Sequence, residues 1–257
     1  MTMVDYTVSE RIAYITLNRP EKRNALSYEL ISELIMAFSK AADDDQAKII
    51  ILKANGDAFC AGADLAYIQQ LQSNTYEENL ADSRHLKDLY YYMHTHPKVI
   101  IAQVQGHALA GGCGLATVCD FVFSVPEARF GYTEVKIGFI PALVSVFLLN
   151  KIGEGAAREL LLSGELITAE RAMIMGLINQ VVESDKLDKA VLEFANRLIN
   201  SNSATSMSLT KKLIAEVQGR PLEEALNRAA EMNAMARGTD DCRRGITAFL
   251  NKEKIIW

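Results

Sequence analysis

The 257-residue chain is 49% apolar and 23% charged with a formal net charge of −5, the balance of a soluble globular protein of one large domain, or one domain with a helical extension. Basic and acidic residues are interspersed, which excludes a basic stripe for nucleic acid and a polybasic segment for a membrane surface. The N-terminal "MTMVDYTVSERIAYITL" carries acids early and alternates, unlike a signal peptide, no apolar run reaches membrane-spanning length, and Cys60, Cys113, Cys119 and Cys242 match no zinc or redox spacing, so they read as buried thiols of a cytoplasmic protein.

"DYTVSERIAYITLNRP" predicts two short strands about a polar turn, and Pro20 with "EKRNA" a loop. Ser27 is placed to cap the helix of "SYELISELIMAFSKAADDD", whose Leu30, Leu34, Ile35 and Phe38 share one face. "AKIIILKA" is a continuous β-branched run, the pattern of a strand buried on both faces. A two-glycine loop, "NGDAFCAGADL", follows, and a helix is expected over 76–95. "KVIIAQVQG" is a second buried strand, leading into "GHALAGGCGLATVCD". "DFVFSVPEARFGYTEV" predicts strands around Pro126. After Pro141 come short helices closed by glycines, "PALVSVFLLNKIG", "EGAARELLLSG" and "TAERAMIMG", then a short strand in "LINQVV". From Ser184 to Phe249 the period is helical. The organisation is an α/β core over 1–183 and a helical region over 184–257.

"HTH" at His94 to His96 offers two imidazoles without a third metal ligand nearby, so no metal site is expected. The order buried strand, small-residue loop, helix occurs at 48–72 and again at 98–119. In both copies the loop ("CAGADL", "LAGGCGL") has glycines that permit close backbone approach, followed by a helix start whose N–H groups are free. Two such loops can aim two backbone donors at one oxygen. Tight helix packing is the other reading of the same glycines. The run is neither the dinucleotide G-x-G-x-x-G nor a phosphate loop.

Taken together, "NRPEKRNALS", "FCAGADL", "VQGHALAGGCGLATVCD", "FGYTEVKIGFIP" and "MGLINQVV" resemble the enoyl-CoA hydratase/isomerase (crotonase) family over nearly the whole chain. The resemblance implies an α/β fold, a ClpP-like spiral of ββα units with a C-terminal helical region, assembled as trimers or hexamers. It implies an acyl-CoA thioester as substrate, with no cofactor beyond the coenzyme A that the substrate carries. By motif, the oxyanion donors are Ala63 and Gly111. Any Cβ at Gly111 is expected to obstruct the thioester oxygen. Arg23 and Ala25 in "EKRNA", Ala61, Asp64 and Leu65 in "CAGADL", Gly112 and Gly114 in the glycine run, and Pro141 in "IPA" are the implied substrate-binding positions.

Two-glutamate hydratases carry one carboxylate three residues after the oxyanion glycine. Here that position is Gly114. The second corresponds to Glu134, the expected acid/base, in a pocket expected to be lined by Phe130 and Ile140 with a raised pKa. Gly114 is read as room for water or a branched acyl group. "GxGL" and "EVKIGxIPA" resemble bacterial 3-methylglutaconyl-CoA hydratases of leucine breakdown. A Δ3,Δ2-enoyl-CoA isomerase, a carrier-protein dehydratase of polyketide assembly and a noncatalytic acyl-CoA-binding member stay open. The acyl pocket is expected between the 76–95 and 139–147 helices, with Arg84, His85 and Lys87 facing a second substrate carboxylate or water.

Overall fold

The computed structural model describes residues 2–257. Strands β1 (Val4–Ser9) and β2 (Ile12–Leu17) form the expected antiparallel hairpin. Its turn residues Glu10 and Arg11 both take positive φ, 51° and 64°, as a two-residue turn matched to strand twist requires. Helix α1 (Tyr28–Asp43) starts where Ser27 Oγ accepts the Leu30 N–H at 3.3 Å. Its buried stripe is Leu30, Ile31, Leu34, Ala37, Phe38 and Ala41. Ile35, expected on that face, is only partly buried against the core.

Three successive chain turns then build two sheets. The first comprises β3 (Ile49–Ala54), β4 (Ala58–Cys60), α2 (Leu65–Leu71) and α3 (Tyr76–Thr95). The second comprises β5 (Val99–Val104), β6 (His107–Leu109) and α4 (Gly111–Val118). The third comprises β7 (Phe121–Ser124), β8 (Arg129–Gly131), a single 3-10 turn at Glu134–Ile137, and α5 (Ala142–Ser163). In each turn the first strand joins one sheet and the second strand the other. β9 (Ile167–Thr168), α6 (Ala169–Ile174) and β10 (Gln180–Val181) complete both sheets. The orders are β1-β2-β3-β5-β7-β10 and β4-β6-β8-β9. Every pairing from β2 through β3, β5 and β7 to β10 is parallel. Such strands are covered on both faces, which is why "IIIL" and "VIIAQV" are unbroken buried runs.

The first two of the helices expected after Pro141 meet at Gly153, whose φ of 76° breaks the helical path of α5, and Gly164 at φ 64° ends the second. Of the C-terminal helices α7 (Leu187–Ser201), α8 (Ala204–Val217), α9 (Leu222–Arg237) and α10 (Asp240–Asn251), the first packs on β3, β5 and β7. It buries Leu187, Val191, Ala195 and Ile199. Cys60, Cys113 and Cys119 are buried thiols, whereas Cys242 on α10 is only half-buried. Among the described residues no helix is long and apolar enough to cross a membrane.

Lysines from neighbouring elements close three helix C-termini. Lys48 Nζ donates to the carbonyls of Ile199 and Asn202 at 2.6 Å each. Lys98 Nζ donates to Ala41 and Asp44. Lys151 Nζ donates to Thr117 and Cys119 at 2.8 and 3.0 Å. Cations there satisfy orphan carbonyls and oppose the negative end of each helix dipole. The Lys151 contact matters for the site because it leaves the opposite, N-terminal end of α4 as that helix's uncompensated positive end.

Candidate active site

Ala63, Gly111 and Glu134 each lie just past the C-terminal end of a strand: β4, β6 and β8. These three strands are consecutive parallel neighbours. The sheet therefore brings together residues 48 and 23 positions apart in the chain.

The two loops supply free donors. Leu26 bridges Ala63 in parallel register: the Leu26 N–H donates to Gly62 O at 2.7 Å, and the Asp64 N–H to Leu26 O at 2.8 Å. That pairing uses the Gly62 carbonyl and the Asp64 N–H on either side and leaves Ala63's own N–H pointing away. At the second loop, Ala110 takes φ 48° and ψ −126°, a strained turn for a residue with a Cβ. The turn stops β6 and starts α4 in one step. Its N–H donates to Gly131 O at 2.7 Å, continuing the β6–β8 pairing. No side chain caps α4. Neither the Ala63 nor the Gly111 N–H has a protein partner among the described residues. Gly62, at φ 94°, brings the loops together: a Cβ there would lie 2.9 Å from Ala110 Cβ and 3.0 Å from Leu109 O. These are backbone donors at a helix N-terminus, suited to a developing oxyanion.

Glu134 opens the 3-10 turn after β8 and is half-buried. Its Oε2 is shut off from solvent and has no hydrogen-bond partner among the described residues. Burial raises its pKa above the ordinary carboxylate value. Phe130 is fully buried, but Ile140 is 65% exposed and does not close the pocket as expected. Ile137 and Phe139 are exposed beside it.

The glycines of α4 are each packed against the protein's own atoms. A Cβ on Gly111 would lie 3.0 Å from Leu26 Cδ1 and 3.3 Å from the Tyr90 hydroxyl, so its crowding is with the protein's own side chains. At Gly112 a Cβ would meet Cys60 O at 2.3 Å, so the glycine lets α4 lie on β4. Gly114 offers no room for water or a methyl branch. A Cβ there would lie 2.4 Å from Val144 Cγ1 and 2.6 Å from the Tyr90 hydroxyl. The space is filled by Tyr90 from α3 and Val144 from α5. Tyr90 is fully buried, donates to Gly111 O at 2.7 Å, and is held protonated by burial and by the nearby Cys60 and Glu134. It escaped the sequence reading because "YYYMH" has three tyrosines, and only helical phase separates buried Tyr90 from Tyr91, which is 61% exposed. Its company on the buried face of α3, Leu89 and Met93, was the available signal.

A sequence profile of the enoyl-CoA hydratase/isomerase family matches residues 7–257. The chain belongs to that family. A Thermus thermophilus protein provisionally assigned as an enoyl-CoA hydratase is 42% identical, over 94% of this chain and 95% of its own. A crotonyl-CoA hydratase of Syntrophomonas wolfei is 33% identical, over 95% of this chain and 94% of its own. The crystal structure of an enoyl-CoA hydratase from Shewanella pealeana superposes with a TM-score of 0.93 at 32% identity, covering all of this chain and 96% of the other.

In this family member the other expected positions divide. Arg23 is exposed with φ 51°, and its carbonyl accepts the Ala61 N–H at 3.0 Å, so "EKRNA" and "CAGADL" are joined through backbone. Beside them Asn24, buried and not singled out from sequence, donates to Asn55 O and Ala58 O at 2.9 Å each and accepts from Arg19 N. Arg19 in turn donates to Ala25 O at 3.2 Å and pairs with Asp64 at 2.8 Å. Asp64 also caps α2 through the Ala66 N–H, so its carboxylate is a loop anchor. Leu65 is 79% exposed beside it, and Pro141 caps α5. Arg84 and Lys87 face solvent, and His85 stacks on Tyr28 at 4.1 Å. His96 is no metal ligand, because both ring nitrogens are taken: Nε2–H donates to Phe38 O and Nδ1 accepts from Lys98 N–H, each at 3.0 Å. A cleft of about 690 Å³ lies at the other end of α4, lined by Thr117, Lys151 and Lys211, and includes none of Ala63, Gly111 or Glu134. The unpartnered donors and carboxylate lie outside that cleft and form the candidate site.

Proposed function

We propose that this protein hydrates 2-enoyl-CoA thioesters, with Glu134 as its single acid/base. The observation that carries the reading is the unpartnered, buried Glu134 oxygen at the end of β8, beside two strands that end in unpaired backbone N–H groups. The thioester oxygen sits between the Ala63 and Gly111 N–H groups. Glu134 takes a proton from water as the water oxygen bonds to C3. The C2–C3 π pair moves toward the thioester, and its charge is held by the two N–H groups. Glu134 then returns the proton to C2, so the carboxylate is regenerated and one water has been added.

A short acyl group fits the plugged wall of Gly114, Tyr90 and Val144, and crotonyl-CoA is the substrate in the name of one relative. A 3-methylglutaconyl substrate rests on the likeness of "GxGL" and "EVKIGxIPA" alone, since residue 114 provides no space for the branch. Isomerisation of a 3-enoyl thioester is the second reading, favoured by the same single carboxylate, which is enough to carry one proton between C4 and C2.

Product analysis with crotonyl-, 3-methylglutaconyl- and 3-enoyl-CoA separates these. Hydration of crotonyl-CoA, lowered by roughly 10²-fold in Glu134→Gln, is the expected outcome. Near-normal turnover by Glu134→Gln, or double-bond migration without hydration, overturns it. A trimer or hexamer is part of the proposal, supported by exposed Leu222 and Leu226 on α9 and by Ile137, Phe139 and Ile140. Met232 on the same helix is buried within the chain and contributes nothing to that surface. A monomer in sedimentation at micromolar concentration counts against it.

A further inference from the structure

We infer that Tyr90 is a positioning residue of the oxyanion site, clamping the strained turn that aims the Gly111 N–H. The inference rests on the proposed role of that N–H. Ala110 holds φ 48° and ψ −126° without the freedom of glycine. Such a conformation is strained and persists only where neighbours over-determine it. Three hydrogen bonds do so here, one of them from the Gly114 N–H to Ala110 O at 3.1 Å within the first turn of α4. On the N-terminal side the Ala110 N–H is tied to Gly131 O at 2.7 Å. On the C-terminal side the Tyr90 hydroxyl is tied to Gly111 O, also at 2.7 Å. The peptide between Ala110 and Gly111, which carries the free donor, is thus pinned at both ends.

The geometry around Tyr90 makes the clamp rigid. The ring is fully buried and meets Phe147 edge-on at 6.2 Å. Its hydroxyl occupies the space that a side chain on Gly114 would need. The missing side chain at 114 and the phenol on α3 are therefore one arrangement: glycine at 114 admits the hydroxyl that holds residue 111.

Tyr90→Phe keeps the ring and removes only the bond. Its kcat for crotonyl-CoA should fall about tenfold with KM changed less than twofold, less than the 10²–10³ typical of losing an oxyanion donor outright. A second readout does not depend on turnover. Acetoacetyl-CoA, a β-ketothioester whose enolate absorbs in the near ultraviolet, is titrated into the wild-type and variant proteins. The wild type should give the bound enolate band, and Tyr90→Phe should weaken it severalfold while the protein stays folded. Ala110→Gly, which removes the strain, should restore most of kcat and of the band in the Tyr90→Phe background. Tyr90→Phe with unchanged kcat and an unchanged band overturns the inference. So does a loss that Ala110→Gly does not recover, which would mark a packing role alone. Absence of the band in the wild type also overturns it. A protein that shows a Tyr90-dependent enolate band but hydrates none of the thioesters overturns the proposed reaction and leaves the positioning role standing.

Discussion

Gly114→Ala adds one methyl group at the point where this site departs from the two-carboxylate arrangement. The new Cβ would stand 2.4 Å from Val144 Cγ1, 2.6 Å from the Tyr90 hydroxyl and 2.9 Å from Tyr90 Cζ. All three distances are shorter than real Cβ contacts. Neither neighbour yields easily. Val144 is β-branched within a helix, where one χ1 rotamer dominates. Tyr90 is fully buried and hydrogen-bonded to Gly111. Overpacking of this kind costs about 1–3 kcal/mol, and a displaced Tyr90 hydroxyl forfeits about 1 kcal/mol more. Against this, alanine is the better helix former by about 1 kcal/mol. The net expectation is a loss of about 1–3 kcal/mol, or about 2–6 °C in Tm at this chain length. Urea unfolding followed by circular dichroism measures it. Adding Val144→Ala removes the shortest contact, so the double variant should lose less than the sum of the two single ones by about 1 kcal/mol. A Gly114→Ala protein as stable as the wild type, or strict additivity with Val144→Ala, refutes the steric account.

Burial raises the Glu134 pKa, and the proposed reaction needs its carboxylate form, so kcat/KM should fall with decreasing pH around a midpoint above that of an ordinary glutamate; a pH–rate profile whose acid limb lies at or below the ordinary glutamate value contradicts it. His96, fully enclosed, is held down to about 4 mainly by burial. Its folded pKa lies below the unfolded value, so the unfolded chain binds the proton more readily between those two pH values. Stability is then complete above about pH 6.5 and falls as pH drops toward about 4, by up to about 3 kcal/mol from this group. Denaturation of wild type and His96→Gln across this pH range should show a flatter dependence in the variant. Lys151→Met should cost about 1–2 kcal/mol by uncapping α4 at Thr117 and Cys119, measured by urea unfolding.

The order of elements was legible in the chain because each carries its own local signal. Uninterrupted β-branched runs marked β3 and β5, Ser27 marked the start of α1, and Gly153 and Gly164 marked the end of each half of α5. The motif residues that resemble the family were equally visible, since "CAGADL", "GGCGL" and "YTEV" are contiguous strings. What each glycine is for was not visible. Gly111, Gly112 and Gly114 are close together in sequence, yet they face Leu26, Cys60, and Val144 with Tyr90 respectively. Those neighbours come from a loop, a strand and two helices far along the chain. Likewise nothing local distinguishes Tyr90 from Tyr91, and nothing in "SEL" or "IGFIP" says that Ile35 is only partly covered and Ile140 open to solvent. Local patterning sets backbone conformation and the side of an element that turns inward. Which atoms fill the last few ångströms beside Gly114 depends on how α3, α4 and α5 pack together, and only the tertiary structure decides that.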